Sequence, residues 1–400
     1  MNVLFLSMTF PDAGHRARGA YNLALCRALA QRHRVRVCAP RPWPEALQSR
    51  LLRRPAGPGP DVAAAGLQVD YPTYWYIPKL TQKQSGAALW QSCRGSVERL
   101  TRRFPTDVVL SYWAHPDGEA GLSAARRLGA RSGVIVGGTD ALILPHRPGR
   151  GPYVRRVLQQ TDVVFTVSEG LRQAVLQLGA APERVRVLSQ GVDPEQFHPG
   201  DREATRRRLG LSLSRPMIVW VGRMVPVKRL DLLVEAVARL RCTEPDVELC
   251  LVGDGECRRE VEQNVRRLKL EGVVRLVGAV PYHETAEWYR AADATVLSSD
   301  SEGLPNVLRE SLACGTPFVS TNVGSVGEIA APAWSRLVLA GDVDALADGL
   351  AGMLAAGIRV TPEQYSPPTW EDSALSVADA FAPRPFLTRP TLTRIPEGVA

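Results

Sequence analysis

Short apolar runs alternate with longer amphipathic stretches along the first half of the chain. Residues 21–31 have the apolar spacing of a helix, and strand-like runs occupy residues 2–7, 34–40, 107–113, 133–138, 162–168 and 184–193. Strands that alternate with helices pair in parallel, and the helices cover both faces of the sheet. The pattern therefore predicts a parallel sheet covered by helices.

The same rhythm restarts after a polar stretch at residues 199–216. A helical pattern spans residues 228–241, and strand-like runs occupy residues 217–223, 247–255, 273–280, 294–299 and 317–321. We therefore expect an α/β protein with two doubly wound, Rossmann-like domains that face each other across a cleft. The predicted ranges are residues 1–198, residues 199–382 and a Pro-rich tail at 383–400. Ligands of such sheets gather at the carboxyl ends of the strands.

The bulk composition is typical of a globular protein, with 45% hydrophobic and 22% charged residues. No apolar run reaches the 18 or so residues that a transmembrane helix needs. The N-terminus has no basic segment before its apolar stretch, so we expect no signal peptide. The seven cysteines are scattered without CxxC spacing, which favours reduced thiols in a cytoplasmic protein.

The net charge of +8 is unevenly distributed. Residues 1–200 carry 26 basic against 14 acidic side chains, whereas residues 201–400 carry 23 against 27. An anionic partner of the first half, either membrane phospholipid or nucleic acid, is one interpretation. The other is an arginine-rich genome, since arginine outnumbers lysine 45 to 4. Residues 71–83 place four aromatics beside two lysines, which suits either peripheral membrane contact or an acceptor-groove wall.

Residues 301–317 place Glu302 and Glu310 on either side of a predicted helix start. Pro305 fits a first helical turn, and Gly315 suits the left-handed residue that ends the helix after about residue 313. Three further residues lie at the N-terminal end of this helix: Gly303, Leu304 and Asn306. Free backbone amides there attract an anion such as phosphate. Alternatively, Glu302 complements the helix dipole and Glu310 is a solvated helix residue.

A second candidate site is the strand-to-helix turn at residues 221–231. Gly222 and Arg223 end a strand, and Lys228 is predicted to open the next helix. A guanidinium fork and a compact ammonium suit a diphosphate. The alternative is a surface charge pair between these cations and Asp231.

The first half carries three further candidates at predicted strand ends. His115 could donate a hydrogen bond to a substrate or to a developing charge, and Asp140 ends the next strand in "GGTD". Gly19 lies in a loop after the first strand that does not fit the dinucleotide pattern G-x-G-x-x-G. No zinc pattern, P-loop or G-x-S-x-G motif occurs. The Asp-x-Asp at 342–344 opens a helical stretch, which favours a capping role.

Taken together, these motifs resemble family 4 glycosyltransferases of the GT-B fold over roughly residues 1–380. The E-x7-E motif is Glu302 to Glu310, the Gly-Arg…Lys motif comprises Gly222, Arg223 and Lys228, and "LVGDGE" at 251–256 is also similar. "FPDAG", "AHPDGEAG", "GGTD" and "VLSQGVDPEQFHP" look like bacterial cell-surface polysaccharide enzymes of the teichuronic-acid type.

The resemblance implies retaining, metal-independent transfer of a sugar, without a cofactor, from a UDP- or GDP-sugar to a glycan or lipid-linked hydroxyl. It assigns Arg223 and Lys228 to the diphosphate, Glu310 to the ribose and Glu302 to the donor sugar. The backbone at Gly303, Leu304 and Asn306 joins Glu302, while Gly222 belongs to the same donor site. His115 is placed near the reacting sugar. The loops that carry Gly19 and Asp140 face the phosphates and the acceptor.

Three positions depart from the family's usual pattern. The paired glycine of the first loop is Gly19-Ala20, the usual Asn before Gly191 is Gln190, and the late glycine pair is Gly324-Ser325. Two other activities stay open on the sequence alone. One is an epimerase or a phosphorylase on the same scaffold, and the other is a basic nucleic-acid-binding protein, for which no recognition motif is present.

Overall fold

The computed structural model of the protein describes residues 1–16, 18–53, 55, 57–77 and 85–382. The predicted tail at 383–400 and the lysines of the 71–83 segment lie outside these residues. The strands are β1 Asn2–Leu6, β2 Arg34–Cys38, β3 Arg41–Pro42, β4 Gln68–Asp70, β5 Thr73–Tyr74, β6 Val108–Tyr112, β7 Arg131–Val136, β8 Val163–Thr166, β9 Val185–Val187, β10 Met217–Val221, β11 Glu248–Val252, β12 Val274–Gly278, β13 Ala294–Leu297, β14 Phe318–Thr321 and β15 Ser335–Val338.

Helices follow most of the strands. They are α1 Ala20–Ala30, α2 Trp43–Leu51, α3 Pro60–Ala64, α4 Ser85–Thr101, α5 Glu119–Leu128, α6 Thr139–Leu142, α7 Gly151–Gln160, α8 Glu169–Gln177, α9 Arg202–Leu209, α10 Leu230–Leu240, α11 Arg258–Arg267, α12 Thr285–Ala291, α13 Asn306–Ala313, α14 Val343–Ala356 and α15 Trp370–Phe381. None of the helices in the described part of the chain is long and apolar enough to cross a lipid bilayer.

Two parallel sheets form the centres of the two domains. The first has the strand order β4-β2-β1-β6-β7-β8-β9, and the second has the order β12-β11-β10-β13-β14-β15. In each sheet the chain winds outward from a central pair, with Val3 beside both Val35 and Val108, and Ile218 beside both Leu249 and Ala294. The order reverses between β1 and β6 and between β10 and β13. Ligands of doubly wound sheets bind at such switch points.

The apolar runs that predicted the strands form the core. All five residues of β10 are buried, and the Trp220 ring is completely enclosed. Helices cover both faces of the sheet, so the run is continuously apolar rather than alternating. The sequence pattern did not identify β4 and β15, because these short edge strands are largely half-exposed and carry polar side chains.

Helix α15 returns to the first domain. Its apolar face, spaced at i, i+4, i+7 and i+11, is buried in the first domain's core through Trp370, Ala374, Val377 and Phe381. The Ser373 hydroxyl donates to the Ser189 carbonyl at 2.7 Å. The predicted second-domain range 199–382 therefore contains one helix, α15, that packs against the first domain. A single boundary along the sequence could not assign this helix to the first domain.

Candidate active site at the facing sheet edges

The predicted site residues converge on the two switch points. Loops after β10 and β13 carry Arg223, Lys228 and Glu302, and loops after β1 and β6 carry Gly19 and His115. The two edges are in direct contact, since a Cβ atom added to Gly138 would lie 3.1 Å from the Gly303 Cα atom. The charged groups and the first-domain loops therefore share one region.

Lys228 forms an ion pair with Glu302. The Lys228 Nζ atom donates to Glu302 Oε1 at 2.5 Å, and the Ser299 hydroxyl donates to the same oxygen at 2.6 Å. Glu302 is 9% exposed, so burial raises the cost of leaving its charge unpaired. The two residues lie 74 positions apart in sequence, and only the pairing of β10 with β13 brings them together.

The structure corrects the predicted role of Lys228 as the first residue of a helix. Residues Pro226–Lys228 form a single 3₁₀ turn, and Arg229 adopts a left-handed conformation with φ 47° before α10 begins. Arg229, rather than Lys228, pairs with Asp231 at 2.9 Å. The alternative of a surface pair between Asp231 and Arg223 or Lys228 is therefore wrong, because Arg229 takes Asp231 and Lys228 pairs with Glu302.

Arg223 is exposed and points to the first domain. Within the described residues its side chain makes no hydrogen bond or ion pair, but its charge acts on the Tyr21 phenol. Burial raises the pKa of Tyr21 to about 12, and the Arg223 charge opposes that rise. An unpaired guanidinium at a strand end is available to an anion. Gly222 precedes it, and a Cβ atom there would lie 3.1 Å from the Trp220 ring.

Glycines bring the two domains together beside Glu302. A Cβ atom on Gly303 would lie 2.3 Å from the Gly137 carbonyl oxygen, and one on Gly324 would lie 1.8 Å from the Glu302 carbonyl oxygen. The Ser325 amide donates to the Gly303 carbonyl at 3.0 Å. A side chain at position 303 would push the two domains apart, whereas one at position 324 would displace the Glu302 loop within the second domain, so both positions require glycine. Gly324 therefore fixes the Glu302 loop, and Gly303 allows the contact between the domains.

Helix α13 begins at Asn306, close to the predicted start, and Gly315 follows its end with φ 84°. Pro305 occupies the N-cap rather than the first turn, and no side chain of the described residues caps the helix. The Leu308 amide donates to the Pro305 carbonyl at 3.2 Å, and the Asn306 and Val307 amides before it remain available to an anionic group. The side-chain nitrogen of Asn306 donates to the side-chain oxygen of Gln190 at 2.8 Å. Leu304 packs against the first domain's core.

Glu310 is a buried carboxylate held by two tyrosines. The Tyr282 and Tyr289 hydroxyls donate to its two oxygens at 2.8 and 3.1 Å. Burial raises the pKa of Glu310, and the two hydroxyls oppose that rise. This corrects the alternative of a solvated helix residue, because Glu310 is 5% exposed. Neither tyrosine was identified from the sequence, although Tyr282 lies in the turn before α12 and Tyr289 lies on α12.

His115 is completely enclosed in the first domain. Its Nε2 atom lies 3.2 Å from the Ser85 hydroxyl and 3.4 Å from a Glu119 oxygen, and its ring packs against Tyr153. Among the described residues, its Nδ1 atom has no hydrogen-bond partner. The predicted loop is an irregular segment, Ala114–Gly118, at the carboxyl end of β6.

Asp140 organises the backbone beside His115. Its carboxylate accepts from the amides of Ala114, Gly137 and Gly138 at 2.9 to 3.1 Å, and it is fully buried. Burial raises the pKa of Asp140, and these amides oppose that rise. Asp140 therefore joins the ends of β6 and β7 and shapes the loops around the site.

Gly19 caps α1 in a left-handed conformation with φ 61°. A Cβ atom there would lie 2.2 Å from the Thr9 carbonyl oxygen, so glycine is needed for the close turn. Asp342 caps α14 and accepts from the Ala345 amide at 2.9 Å, which confirms the predicted capping role of the Asp-x-Asp.

One group of potential metal ligands lies in the described part of the first domain. Atoms of Asp12, His15 and Glu45 lie within 4.8 Å of one another. Two guanidinium groups already hold the carboxylates, since Arg41 pairs with Asp12 at 2.5 Å and Arg18 pairs with Glu45 at 2.7 Å. Cations in these positions compete directly with a metal ion.

Comparisons with known proteins agree with this architecture. Residues 19–196 match a family model described as Glycosyltransferase Family 4, and residues 201–364 match one described as Glycosyl transferases group 1. D-inositol 3-phosphate glycosyltransferase of Streptosporangium roseum is 34% identical over 243 residues, which cover 57% of this chain and 52% of that protein. The Frankia alni enzyme of the same name is 34% identical over 275 residues, covering 63% and 62%. The chain thus spans about half to three fifths of these curated relatives.

Solved structures share the two-sheet fold. The Anabaena HepE complex with UDP and glucose has a TM-score of 0.69 at 19% identity and covers 95% of this chain and 98% of that one. Sucrose-phosphate synthase from Thermosynechococcus elongatus has a TM-score of 0.73 at 20% identity, with 95% of each chain covered. Because glycosyltransferase models match both halves and the fold is shared over nearly the whole length, the chain belongs to family 4 of the glycosyltransferases and has the GT-B fold.

Proposed function

We propose that the protein transfers a sugar from a nucleoside-diphosphate sugar to an acceptor hydroxyl. The observation that carries this proposal is the grouping of Arg223, Lys228 and the uncapped start of α13 beside Glu302 at one switch point. Two cations and free amides suit a diphosphate, and the carboxylate suits sugar hydroxyls. The UDP named in the solved complexes of HepE supports UDP as the nucleotide to test first.

The chemistry follows from where charge develops. The bond between the anomeric carbon and the diphosphate oxygen breaks, so negative charge grows on the diphosphate beside Arg223 and Lys228. Fixed cations and amides stabilise that charge without reorganising during the reaction. In this proposal the chain's own cations take the role of a metal ion, and no cofactor is needed.

We favour retention of the anomeric configuration. The acceptor oxygen bonds to the face of the anomeric carbon that the diphosphate leaves, and the acceptor proton passes to the leaving phosphate. Two described carboxylates near this position are engaged: Glu302 by Lys228 and Ser299, and Asp140 by three backbone amides. Because neither is a free nucleophile, a covalent intermediate is the weaker alternative. Glu302 then positions the donor sugar.

Glu310 and its tyrosines form the nucleoside end of this proposed site. The carboxylate retains acceptor capacity beyond the two phenol hydrogen bonds, which suits the ribose hydroxyls. His115 lies behind Ser85 rather than in the open region. We therefore propose that it acts near the donor sugar by holding the Ala114–Gly118 segment.

The experiment that tests this function incubates the protein with UDP-, GDP- and ADP-sugars, each with and without candidate acceptors. Transfer releases nucleoside diphosphate only when both substrates are present, and the product keeps the donor's anomeric configuration by NMR. Excess chelator leaves the rate unchanged. Conversion of the donor without an acceptor would indicate an epimerase, and dependence on inorganic phosphate a phosphorylase. Salt-sensitive binding to DNA without any transfer would favour the nucleic-acid alternative.

We propose that the acceptor carries negative charge, as a glycan or lipid-linked intermediate of cell-surface polysaccharide synthesis does. Arg150 acts electrostatically on Tyr74, whose hydroxyl donates to the Ser85 carbonyl beside His115. The curated relatives are named for D-inositol 3-phosphate, also an anion. An acceptor panel that pairs phosphorylated with neutral forms tests this choice. Equal kcat/KM for both members of each pair would contradict it.

We also propose that the protein works in the cytoplasm at the inner face of the plasma membrane, and that α2 docks there. The helix has no buried residue, and exposed fractions reach 74% at Leu51, 55% at Leu52 and 64% at Trp75, which stacks on Trp43. Two exposed arginines of this region, Arg50 and Arg53, complement anionic lipid.

Flotation with vesicles tests the membrane contact. We expect binding to phosphatidylglycerol vesicles at low salt and much weaker binding to phosphatidylcholine vesicles. The change Leu51→Glu should abolish flotation, whereas Leu339→Glu, at an equally exposed leucine of the second domain, should not. Equal flotation of the two variants would count against α2 as the docking element.

A further inference from the structure

A pocket of about 230 Å³ lies at the opposite edge of the second sheet from the proposed donor site. Pro216, which precedes β10, and Asp293, which precedes β13, form its floor, so it sits at the amino ends of these strands. Helix α9 and the segment after α14 form its walls. Apolar side chains such as Met353 line one side.

The pocket is strongly cationic. Four arginines line it, namely Arg202, Arg206, Arg215 and Arg359, and Asp293 is the single acidic side chain among its described lining residues. Their charges sum to about +3 at neutral pH, because arginine stays protonated. Like charges repel at this range, so a bound anion would lower the electrostatic energy of the arrangement.

Asp293 has little capacity left for the arginines. One of its oxygens accepts from the Met217 amide and from Arg206, both at 2.8 Å, and the other accepts from Arg202. Arg359 lies 3.8 Å from that second oxygen, beyond hydrogen-bond distance. The carboxylate therefore holds the floor of the pocket together and does not neutralise Arg359.

Two of the four arginines use their donors within the protein, and the other two keep donors for a ligand. Arg206 is 2% exposed and donates hydrogen bonds to Asp293 and to backbone carbonyls. Arg215 donates to carbonyls outside the pocket. Arg202 and Arg359 remain 42% and 37% exposed. Arg359 donates to the Thr316 hydroxyl at 2.9 Å and keeps further donors for a ligand.

The electrostatic environment of Arg359 favours a bound anion. Desolvation and the neighbouring Arg202 and Arg206 charges lower the pKa of Arg359 to about 10, against a smaller opposing effect of Asp293. A bound anion would reverse this effect. Planar guanidinium forks match the oxygens of a phosphoryl group in geometry as well as charge.

We propose that Arg202 and Arg359 bind a small phosphorylated anion in this pocket, separately from the donor site. The volume is below the range of most pockets for drug-sized ligands, which favours phosphate, pyrophosphate or a small phosphate monoester. The arginines contact the phosphoryl oxygens, and the apolar wall accommodates a short carbon skeleton if one is present.

Ligand-induced stabilisation tests the proposal without using the transfer reaction. Orthophosphate, pyrophosphate and glycerol phosphate are each titrated while Tm is followed, with sodium chloride at matched ionic strength as the reference. The titrations use an Arg223→Ala/Lys228→Ala double variant, so that the cleft cannot supply the phosphate site. A ligand that binds the folded state raises Tm in a saturable way. The relative responses of the three ligands distinguish a free phosphate from a phosphate monoester.

Arg359→Gln introduced into that background should weaken binding about tenfold or more, because a charge-assisted contact is lost. The matched control is Arg207→Gln, which removes an exposed arginine of the same α9 helix that pairs with Glu203. Arg359→Lys should retain part of the affinity and shows that charge, rather than folding, is responsible. The absence of a saturable shift with all three ligands, or equal affinities for Arg359→Gln and Arg207→Gln, would overturn the proposal.

Discussion

The two facing edges of the sheets use their polar side chains in opposite ways. On the second domain, Glu302 pairs with a lysine side chain, and the exposed Arg223 makes no ion pair with any described residue. On the first domain, Asp140 is completely buried on backbone amides, and His115 is enclosed behind Ser85. One edge carries paired and exposed side-chain charges, whereas the other uses its polar groups to hold loops.

The difference shows that a motif at a strand end can identify two kinds of residue. One is a side chain that can contact a ligand, and the other is a side chain that holds the surrounding loops. At the strand ends of the second domain, the charged side chains either pair with each other, as Lys228 and Glu302 do, or make no ion pair among the described residues, as for Arg223. At the corresponding ends of the first domain, polar side chains such as Asp140 form hydrogen bonds with backbone groups of the loops. They do so because a buried backbone group must have a hydrogen-bond partner. Substitutions on the two edges should therefore affect transfer and stability in different proportions.

The largest expected effect on transfer comes from the contact between the two edges. Gly303→Ala would place a Cβ atom 2.3 Å from the Gly137 carbonyl oxygen and would separate the domains beside Glu302. We expect kcat/KM to fall roughly 100-fold, since a displacement of about 1 Å can have that effect. Gly352→Ala on α14, where a Cβ atom meets nothing within 4 Å, is the control. Equal activities of the two variants would show that the domains separate freely here.

Lys228→Ala should have the next largest effect. It removes a diphosphate contact and leaves the nearly buried Glu302 carboxylate without its cation, so we expect transfer to slow about 10- to 100-fold and Tm to fall. Glu302→Gln in the same protein should restore Tm but not transfer. If the double variant is no more stable than Lys228→Ala alone, the ion pair does not explain the loss.

Arg223→Ala should act on transfer alone. The side chain is exposed and makes no ion pair within the described residues, so its removal should leave Tm unchanged and lower kcat/KM about tenfold. Arg241→Ala, at an exposed arginine that follows α10, serves as the control in kinetic and thermal-melt measurements. Unchanged turnover in Arg223→Ala would remove this residue from the proposed donor site.

The smallest effect on transfer is expected from Asp117, a buried first-domain carboxylate that accepts from the Met8 amide at 2.6 Å. Burial raises the pKa of Asp117 to about 7. The folded state therefore binds the proton more tightly than the unfolded state, and stability falls as pH rises from about 4 to about 7. The slope approaches about 1.4 kcal/mol per pH unit.

Urea unfolding across this pH range measures the effect. Asp117→Asn keeps a side-chain oxygen for the Met8 amide and should flatten the slope, whereas Asp348→Asn, at an exposed carboxylate of α14, should not. A slope that Asp117→Asn leaves unchanged would assign the pH dependence to other groups.

Much of the fold could be predicted from the sequence because the buried strands are continuous apolar runs. The runs at 217–223 and 294–299 correspond to β10 and β13, and their ends carry Arg223 and Glu302. Edge strands β4 and β15 could not be found in this way, because their exposure removes the apolar signal. Tyr282 and Tyr289 were missed for another reason, since a buried tyrosine has the same sequence signal whether or not its hydroxyl meets a carboxylate.

The sequence by itself determined the β-α-β rhythm, the two domains and the positions of the charged motifs, because these depend on local periodicity and spacing. Only the tertiary structure decided that Lys228 pairs with Glu302, that His115 and Asp140 are enclosed, and that α15 packs on the first domain. The pocket lined by Arg202 and Arg359 was likewise decided by the tertiary structure, because its walls come from segments about 150 residues apart. Contacts between distant segments depend on how the sheets and helices pack, which no short stretch of sequence specifies.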